Sequence, residues 1–168
     1  MLPDLQSILE AFVRQKVEFV IIGGMAAVAQ GAPVTTFDLD ICYRQSPENY
    51  RRLVAALKPM RPTLRAPEGT VPFVWDERTL ELGCNFTLST TAGDLDIFGE
   101  LSPSLHYEDL LSDSMVLDLY GYPVQVMGLR DLIRTKVVLR RTKDKAVLDI
   151  LRETLRLQEK GDPKSGNH

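Results

Sequence analysis

The sequence predicts an α+β fold, a mixed β-sheet flanked by helices, and two patterns lead to this expectation. Apolar residues recur at helical spacing near both ends of the chain, which predicts amphipathic helices there. Between them, short runs rich in β-branched and aromatic residues alternate apolar and polar side chains, as half-buried strands do. With 168 residues, we expect one domain at 1–160, with a helical C-terminal part at 128–160 and a disordered tail at 161–168.

The individual elements follow from local patterns along the chain. The first half is expected to contain helices over 3–15, 25–30 and 47–58, and strands over 18–22 and 37–43. The second half is expected to contain strands over 84–90, 94–98, 115–120 and 123–127, then helices near 128–140 and 142–158. Ser46 followed by Pro47 is a typical helix start, an N-cap before a proline in the first turn. Residues 59–72 hold four prolines and a glycine, which predicts a long surface loop.

Composition excludes several classes of protein. Hydrophobic residues make up 44% of the chain and charged residues 26%, which is typical of globular domains and not of disordered or fibrous chains. The longest apolar run is far shorter than the roughly 20 residues that span a bilayer, and MLPDLQSILE lacks the basic start of a signal peptide. Because there are only two cysteines, Cys42 and Cys84, we expect reduced thiols in a cytoplasmic protein without membrane contact.

Charge is distributed unevenly along the chain. Residues 128–160 contain ten Lys and Arg against five Asp and Glu, a local charge of +5. Because the net charge of the chain is −3, the remaining residues together carry −8. An acidic region and a basic C-terminal part would suit a metal site that meets a polyanionic substrate. A solvated helical face would give the same basic cluster, so the charge pattern alone leaves both interpretations open.

The segment GGMAAVAQGAPVTTFDLDI, residues 23–41, contains the first candidate site. Gly23 and Gly24 end a strand and begin a helix, where absent side chains and free N–H groups favour a bound phosphate. Asp38 and Asp40 follow at alternating strand positions, and two carboxylates on one face suit a divalent cation. Charges on an exposed edge strand would give the same pattern. The residues expected on the opposite, apolar face are Phe37, Leu39 and Ile41.

A second D-L-D-I segment strengthens the metal hypothesis. Asp94 and Asp96 repeat the earlier pattern on a later predicted strand, and Asp96 would join the first pair if the two strands are neighbours. Clustered carboxylates repel one another unless a cation lies between them. Mg²⁺ typically takes a few carboxylates together with substrate phosphates, and two such ions can hold a phosphoryl group during in-line displacement.

Two charged residues near the C-terminus fall on apolar helical stripes. Lys136 shares a stripe with Leu129, Leu132 and Ile133, and Asp144 shares one with a later group of apolar residues. Each has a structural alternative. A lysine can extend its ammonium from the edge of a core, and an acid in a first helical turn is favoured by the helix dipole.

Taken in order, these motifs resemble the DNA polymerase beta-type nucleotidyltransferase superfamily. A Gly-Gly pair at a strand–helix turn is followed by T-x-D-L-D and then by G-x-L-D-I-x-G-E. Within that superfamily, the chain is similar to small stand-alone bacterial and archaeal nucleotidyltransferases related to abortive-infection toxins. The similarity extends from about residue 19 to residue 151, and ends with D-L-I-R-T-K and R-T-K-D.

The resemblance implies a nucleotidyltransferase fold, with the C-terminal helices packed beside the active-site cleft, and a role for each matching residue. It implies that Asp38, Asp40 and Asp96 bind Mg²⁺, with two ions expected, and that Asp96 orients or deprotonates the attacking hydroxyl. Contacts to the nucleotide and further catalytic roles are implied for Gly23, Gly24, Thr36, Lys136, Lys143 and Asp144. Three positions depart from the family pattern, Gly24 where serine is commoner, Val34 where arginine is frequent, and Val147 where aspartate is frequent.

Two functions are consistent with these residues. The first is a Mg²⁺-dependent enzyme that transfers a nucleoside monophosphate from an NTP to a hydroxyl of a small molecule, a tRNA or a protein. The second is a non-catalytic or partner-dependent nucleotide-binding protein, such as a toxin component acting with an antitoxin-like partner. The three acids favour the enzyme, whereas Val34 and the small size favour the binding protein.

The remaining candidates have structural interpretations that we prefer. His106 is expected in a surface loop, and Cys42 is expected to pack within a strand, because no paired histidine pattern accompanies it. Trp75 could stack on a base, but packing at the core or its rim is favoured. A Rossmann site is excluded because the G-x-G-x-x-G spacing is missing after Gly23.

Overall fold

The computed structural model describes residues 3–65, 72–135 and 145–161. The helices are α1 (Leu5–Arg14), α2 (Gly23–Ala29), α3 (Pro47–Leu57), α4 (Glu77–Leu82), α5 (Tyr107–Leu110), α6 (Leu129–Thr135) and α7 (Lys145–Gly161). The strands are β1 (Phe19–Ile22), β2 (Leu39–Tyr43), β3 (Thr63–Leu64), β4 (Asn85–Thr90), β5 (Gly93–Phe98), β6 (Glu100–Ser102), β7 (Leu105–His106), β8 (Met115–Leu119) and β9 (Tyr122–Val126).

A mixed sheet forms the centre of the molecule, and within the described residues its seven strands follow the order β3-β4-β5-β2-β1-β9-β8. β1 runs antiparallel to β2 and parallel to β9, while β2 runs parallel to β5. All four residues of β1 are buried, as expected for a central strand covered on both faces. The predicted α+β architecture, with helices flanking a mixed sheet, is confirmed.

Local chemistry explains where two of the helices begin. The Asp4 carboxylate accepts a hydrogen bond from the Ser7 N–H at 3.1 Å and caps α1. The Ser46 hydroxyl accepts one from the Asn49 N–H at 3.2 Å and caps α3, with Pro47 in the first turn. The helix start predicted from Ser46 and Pro47 is therefore confirmed, because the capping geometry depends on neighbours only three residues apart.

The prediction that β2 begins at residue 37 is wrong. The strand begins at Leu39, and Phe37 is 63% exposed instead of lying with Leu39 and Ile41 in the core. The alternation of apolar and polar residues continues upstream of the strand, but backbone pairing with the neighbouring strands begins only at Leu39. The alternation of apolar and polar residues therefore predicted the presence of β2 correctly, but it placed the start of the strand two residues too early.

The predicted loop over 59–72 also needs correction. A short 3-10 helix covers Lys58–Met60, and β3 pairs antiparallel with β4 as the edge of the sheet. Residues 66–71 lie outside the described part. A two-residue strand next to prolines has too few residues to show a period of two. The short elements α4, α5, β6 and β7 were not predicted either, because each has too few residues to show a clear helix or strand period.

The C-terminal helices lie close to their predicted positions. α6 follows β9 after two residues and packs against α7, while α2 also contacts α6. α7 extends to Gly161, so the residue at which we expected the tail to begin is still helical, and 162–168 are outside the described residues. No helix in the described ranges combines the length and the apolar character needed to cross a bilayer.

Candidate active site

Two aspartates are paired on adjacent central strands. Asp40 of β2 and Asp96 of β5 are direct partners in the parallel register. Paired residues of neighbouring strands are about 4.8 Å apart, and their side chains project to the same face of the sheet. The residues on either side of each acid, Leu39, Ile41, Leu95 and Ile97, are fully buried. The register thus places two carboxylates side by side, while the flanking apolar residues anchor both strands.

A glycine turn lies against the first of these carboxylates. Ile22, the last residue of β1, pairs with Asp40 in the antiparallel register, and the next residue, Gly23, has a φ of +66°. A Cβ atom at Gly23 would lie 2.9 Å from Asp40 Oδ2, closer than a carbon normally approaches an oxygen. Glycine is therefore required twice, by the backbone conformation and by the close approach of the carboxylate.

Gly24, Thr36 and Asp38 form the adjoining side of the site. A Cβ atom at Gly24 would lie 2.8 Å from Thr36 Oγ1, so this backbone and the threonine are also in close contact. The Thr36 hydroxyl donates to the Asp38 carbonyl oxygen at 3.4 Å. Asp38 itself is one residue ahead of β2, so its position depends on this loop and not on strand pairing. The structure thus gathers the predicted residues of the 23–41 segment around the start of β2.

Arg65 reaches the site from the sheet edge, and the sequence analysis missed it. Its guanidinium forms ion pairs with Asp96 and, through Nη1 to Oδ2 at 3.2 Å, with Asp94. Its backbone N–H donates to the Thr87 carbonyl at 3.0 Å, which extends the pairing of β3 with β4 by one residue. Nothing local in the proline-rich segment distinguishes Arg65 from other surface arginines, because its partners come from β5.

The chemistry of the carboxylates fits a magnesium ion. Mg²⁺ prefers oxygen ligands and is usually bound by one or two carboxylates, with substrate phosphates and water completing the octahedron. Asp40 and Asp96 offer two such ligands in register, and the Asp40 carboxylate lies against the backbone of Gly23, which carries no side chain. Within the described ranges, no three His, Cys, Asp or Glu side chains are already grouped as a metal centre. Asp40 and Asp96, completed by a nucleotide and water, therefore fit the ion, and the role of Asp38 as a third ligand stays a prediction.

The C-terminal residues implied by the resemblance lie outside the described part of the chain. Lys136, Lys143 and Asp144 fall in the segment 136–144 between α6 and α7. The Met127 N–H donates to the Ile21 carbonyl at 2.8 Å, so α6 begins at the same edge of the sheet as the glycine turn. The roles of the two lysines and of Asp144 stay predictions.

The preferred interpretations of Trp75 and Cys42 agree with the structure, whereas His106, expected in a surface loop, is the last residue of strand β7. The His106 ring lies with Nε2 3.1 Å from Glu100 Oε2, and the residue caps α5. The Trp75 indole packs on the core and donates to a backbone carbonyl of α3 at 3.2 Å. Burial raises the pKa of the Cys42 thiol to about 12, so this cysteine stays protonated and is a poor nucleophile.

The geometry can be compared with known proteins. No family model matches the chain, and no curated protein matches its sequence. A provisionally assigned nucleotidyltransferase from Thermotoga maritima has a similar structure, with 19% identity and a TM-score of 0.55 over 91% of each chain. ANT(2″)-Ia in complex with adenylyl-2″-tobramycin is similar at 15% identity, with a TM-score of 0.57 over 92% of this chain and 89% of that one.

A third solved structure belongs to the same class. The lincosamide antibiotic adenylyltransferase LnuA, bound to lincomycin, shares 12% identity and a TM-score of 0.54 over 89% of this chain and 95% of that one. At these identities the similarity concerns the fold. The chain therefore has the nucleotidyltransferase fold, as the resemblance of its motifs implied. The narrower similarity to stand-alone toxin-related members stays a prediction.

Proposed function

We propose that this protein is a Mg²⁺-dependent nucleotidyltransferase, which transfers a nucleoside monophosphate from an NTP to a hydroxyl and releases pyrophosphate. The observation that supports it most is the register of Asp40 with Asp96 beside the bare backbone of Gly23. A pair of acids on the buried strands of a sheet is poorly suited to stability, because like charges repel at this distance. It is well suited to holding a cation against a triphosphate.

The reaction assigns a distinct task to each group. Asp40 and Asp96, with Asp38, would hold Mg²⁺, which when bound neutralises the triphosphate and stabilises the charge that develops during transfer. Gly23 and Gly24, which carry no side chains of their own, would contact the phosphates through backbone N–H groups. Asp96 would orient the acceptor hydroxyl and accept its proton. The hydroxyl oxygen forms a bond to the α-phosphorus, the bond from that phosphorus to the bridging oxygen breaks, and pyrophosphate leaves.

A small hydroxyl-bearing molecule is the acceptor class we favour. Two structural neighbours were solved with such molecules, one with adenylyl-2″-tobramycin and the other with lincomycin. The alignment with this chain covers 89% and 95% of the lengths of these two neighbours. Tobramycin and lincomycin are therefore the first probes to use, together with a cell extract that contains tRNA and proteins.

The test is transfer of ³²P from each of the four α-labelled NTPs to these acceptors, with and without Mg²⁺. We expect Mg²⁺-dependent labelling with at least one NTP, and a loss of about 10³-fold in Asp40→Asn and Asp96→Asn, since a metal contact contributes several kcal/mol to the transition state. Asp149→Asn, which removes an exposed carboxylate of α7, is the matched control and should retain wild-type activity.

Two results would contradict the proposal in different ways. If the wild type neither labels any acceptor nor binds an NTP in titration calorimetry, both the enzyme and the nucleotide-binding interpretation are wrong. If it binds an NTP in the presence of Mg²⁺ but transfers nothing, the partner-dependent nucleotide-binding protein replaces the enzyme, and a toxin–antitoxin pairing becomes the next hypothesis to test.

A further inference from the structure

Arg65 and the two paired acids lie in one row across the sheet. The Arg65 N–H bonds to Thr87 of β4, Thr87 is the antiparallel partner of Asp96, and Asp96 is the parallel partner of Asp40. Residues paired across neighbouring strands present their side chains on the same face. Arg65 therefore approaches Asp96 across β4, from the side away from Asp40, so that Asp96 lies between a cation and an anion.

The contact is one that a buried carboxylate requires. Asp96 is 2% exposed and the Arg65 side chain 25%, and an ionised carboxylate at such a depth is costly without a partner. Arg65 also binds Asp94, two residues earlier on the same strand, so one guanidinium joins both acids of the second D-L-D-I segment. The Ser89 hydroxyl donates to Asp94 at 3.2 Å and holds that acid in place.

We propose that Arg65 is the resident counter-ion of the metal site and competes with the divalent cation for Asp96. This inference rests on the proposed function, because it takes Asp96 to be a metal ligand. In the metal-free protein the guanidinium offsets the repulsion between Asp96 and Asp40 and keeps the strands paired. A cation that binds Asp96 must displace it, so Arg65 lowers the affinity of the site for metal alone and makes binding depend more on the charge of the nucleotide.

The test measures metal binding directly, with Mn²⁺ as the probe and its electron paramagnetic resonance signal as the readout. Arg65→Met removes the competing cation and leaves an acidic site, so we expect the dissociation constant for Mn²⁺ to fall at least about tenfold, the effect of losing one charge-assisted contact. Arg65→Lys keeps the charge but loses the forked geometry of the guanidinium, so its dissociation constant for Mn²⁺ should lie between those of the wild type and Arg65→Met. Arg51→Met removes an exposed arginine of α3 and should leave the constant within about twofold.

A second measurement needs no folded Arg65→Met protein. In the wild type, the Nε–H resonance of Arg65, assigned by its loss in Arg65→Lys, should shift when Mg²⁺ is added. Unchanged or weaker Mn²⁺ binding in Arg65→Met, equal tightening in Arg51→Met, or an unmoved resonance while Mg²⁺ binds would each overturn the proposal. If neither the wild type nor Arg65→Met binds Mn²⁺, the metal site of the proposed function is wrong as well. If Arg65→Met binds Mn²⁺ more tightly as expected but the wild type transfers no nucleotide, only the proposed enzymatic activity is contradicted.

Discussion

Two deeply buried acids in the described part of the chain each pair with an arginine, and they show what distinguishes a candidate site from a structural contact. Asp96 and Asp131 are both 2% exposed. Arg65, the partner of Asp96, directly follows strand β3, lies 31 residues away in the sequence, and is itself mostly buried. Arg134, the partner of Asp131, is three residues further along the same helix and 73% exposed.

The surroundings of Asp131 are closed. The Asp113 carboxylate accepts the Asp131 N–H at 3.0 Å and so satisfies a donor at the start of α6. A Cβ atom at Gly128 would lie 2.2 Å from the Asp113 carbonyl oxygen, so the two backbone segments are tightly packed. Burial raises the pKa of the Asp131 carboxyl, Asp113 raises it further, and Arg134 opposes both. This pair of acids connects the loop before β8 to α6.

The surroundings of Asp96 differ in what the neighbouring strand offers. Its partner in the register is a second acid, Asp40, and beyond that acid lies a glycine turn without a side chain. Burial, an arginine partner, a neighbouring carboxylate and a nearby glycine are thus common to both acids, whereas direct pairing of the two carboxylates across neighbouring strands of the central sheet belongs only to Asp96. A candidate site is therefore identified more by its neighbours across the sheet than by the burial of one group.

The largest effect that should separate the two regions comes from their glycines. Gly128→Ala forces a methyl group into the Asp113 backbone, and we expect it to lower the free energy of unfolding by about 3 kcal/mol, in the range of overpacked cores. Gly23→Ala strains a residue with positive φ at a cost of about 1–2 kcal/mol and also displaces the Asp40 carboxylate. Urea denaturation measures both changes.

Binding measurements complete this test. Gly23→Ala should weaken Mg²⁺-dependent NTP binding at least about tenfold, the effect of one lost charge-assisted contact, whereas folded Gly128→Ala protein should bind an NTP as the wild type does. Equal nucleotide affinity in Gly23→Ala and the wild type would show that the turn is structural, and the contrast between the two regions would then disappear.

A smaller effect is expected from the two arginines. In metal-free buffer, Arg65→Met leaves a buried carboxylate without its cation, and we expect a loss of about 2 kcal/mol, less than for a fully buried pair. Arg134→Met removes an exposed partner and should cost no more than about 0.5 kcal/mol. Thermal melts with and without EDTA provide the measurement. A cost for Arg134→Met equal to that for Arg65→Met would contradict the distinction.

The smallest effect is a pH dependence confined to Asp131. Because the pKa of its carboxyl is raised above the ordinary value of 3.8 in the folded state, the wild type loses stability as the pH rises from about 4 through the folded pKa. Asp131→Asn cannot lose that proton, so its free energy of unfolding relative to the wild type should increase from pH 3.5 to pH 7. Urea denaturation at several pH values tests the sign, and a relative stability that falls with pH would contradict it.

Local patterns in the sequence predicted most of the elements and several residues of the candidate site. The repeated D-L-D-I segments, the Gly-Gly pair and the Ser46–Pro47 helix start are all encoded within a few residues, so periodicity and capping rules could detect them. The order of the motifs was also enough to predict the nucleotidyltransferase fold, which the structural comparison confirms.

Tertiary structure alone decided which of these residues meet. The sequence could state that Asp96 would join the first acids if its strand lay beside theirs, but the register of Asp40 with Asp96 depends on pairing between segments more than 50 residues apart. The role of Arg65 could not be predicted for the same reason, since its partners belong to a distant strand. Phe37 continues the alternation of apolar and polar residues, but the strand begins only at Leu39. Short-range patterns specify the candidate groups, whereas their arrangement depends on long-range strand pairing, which no local period encodes.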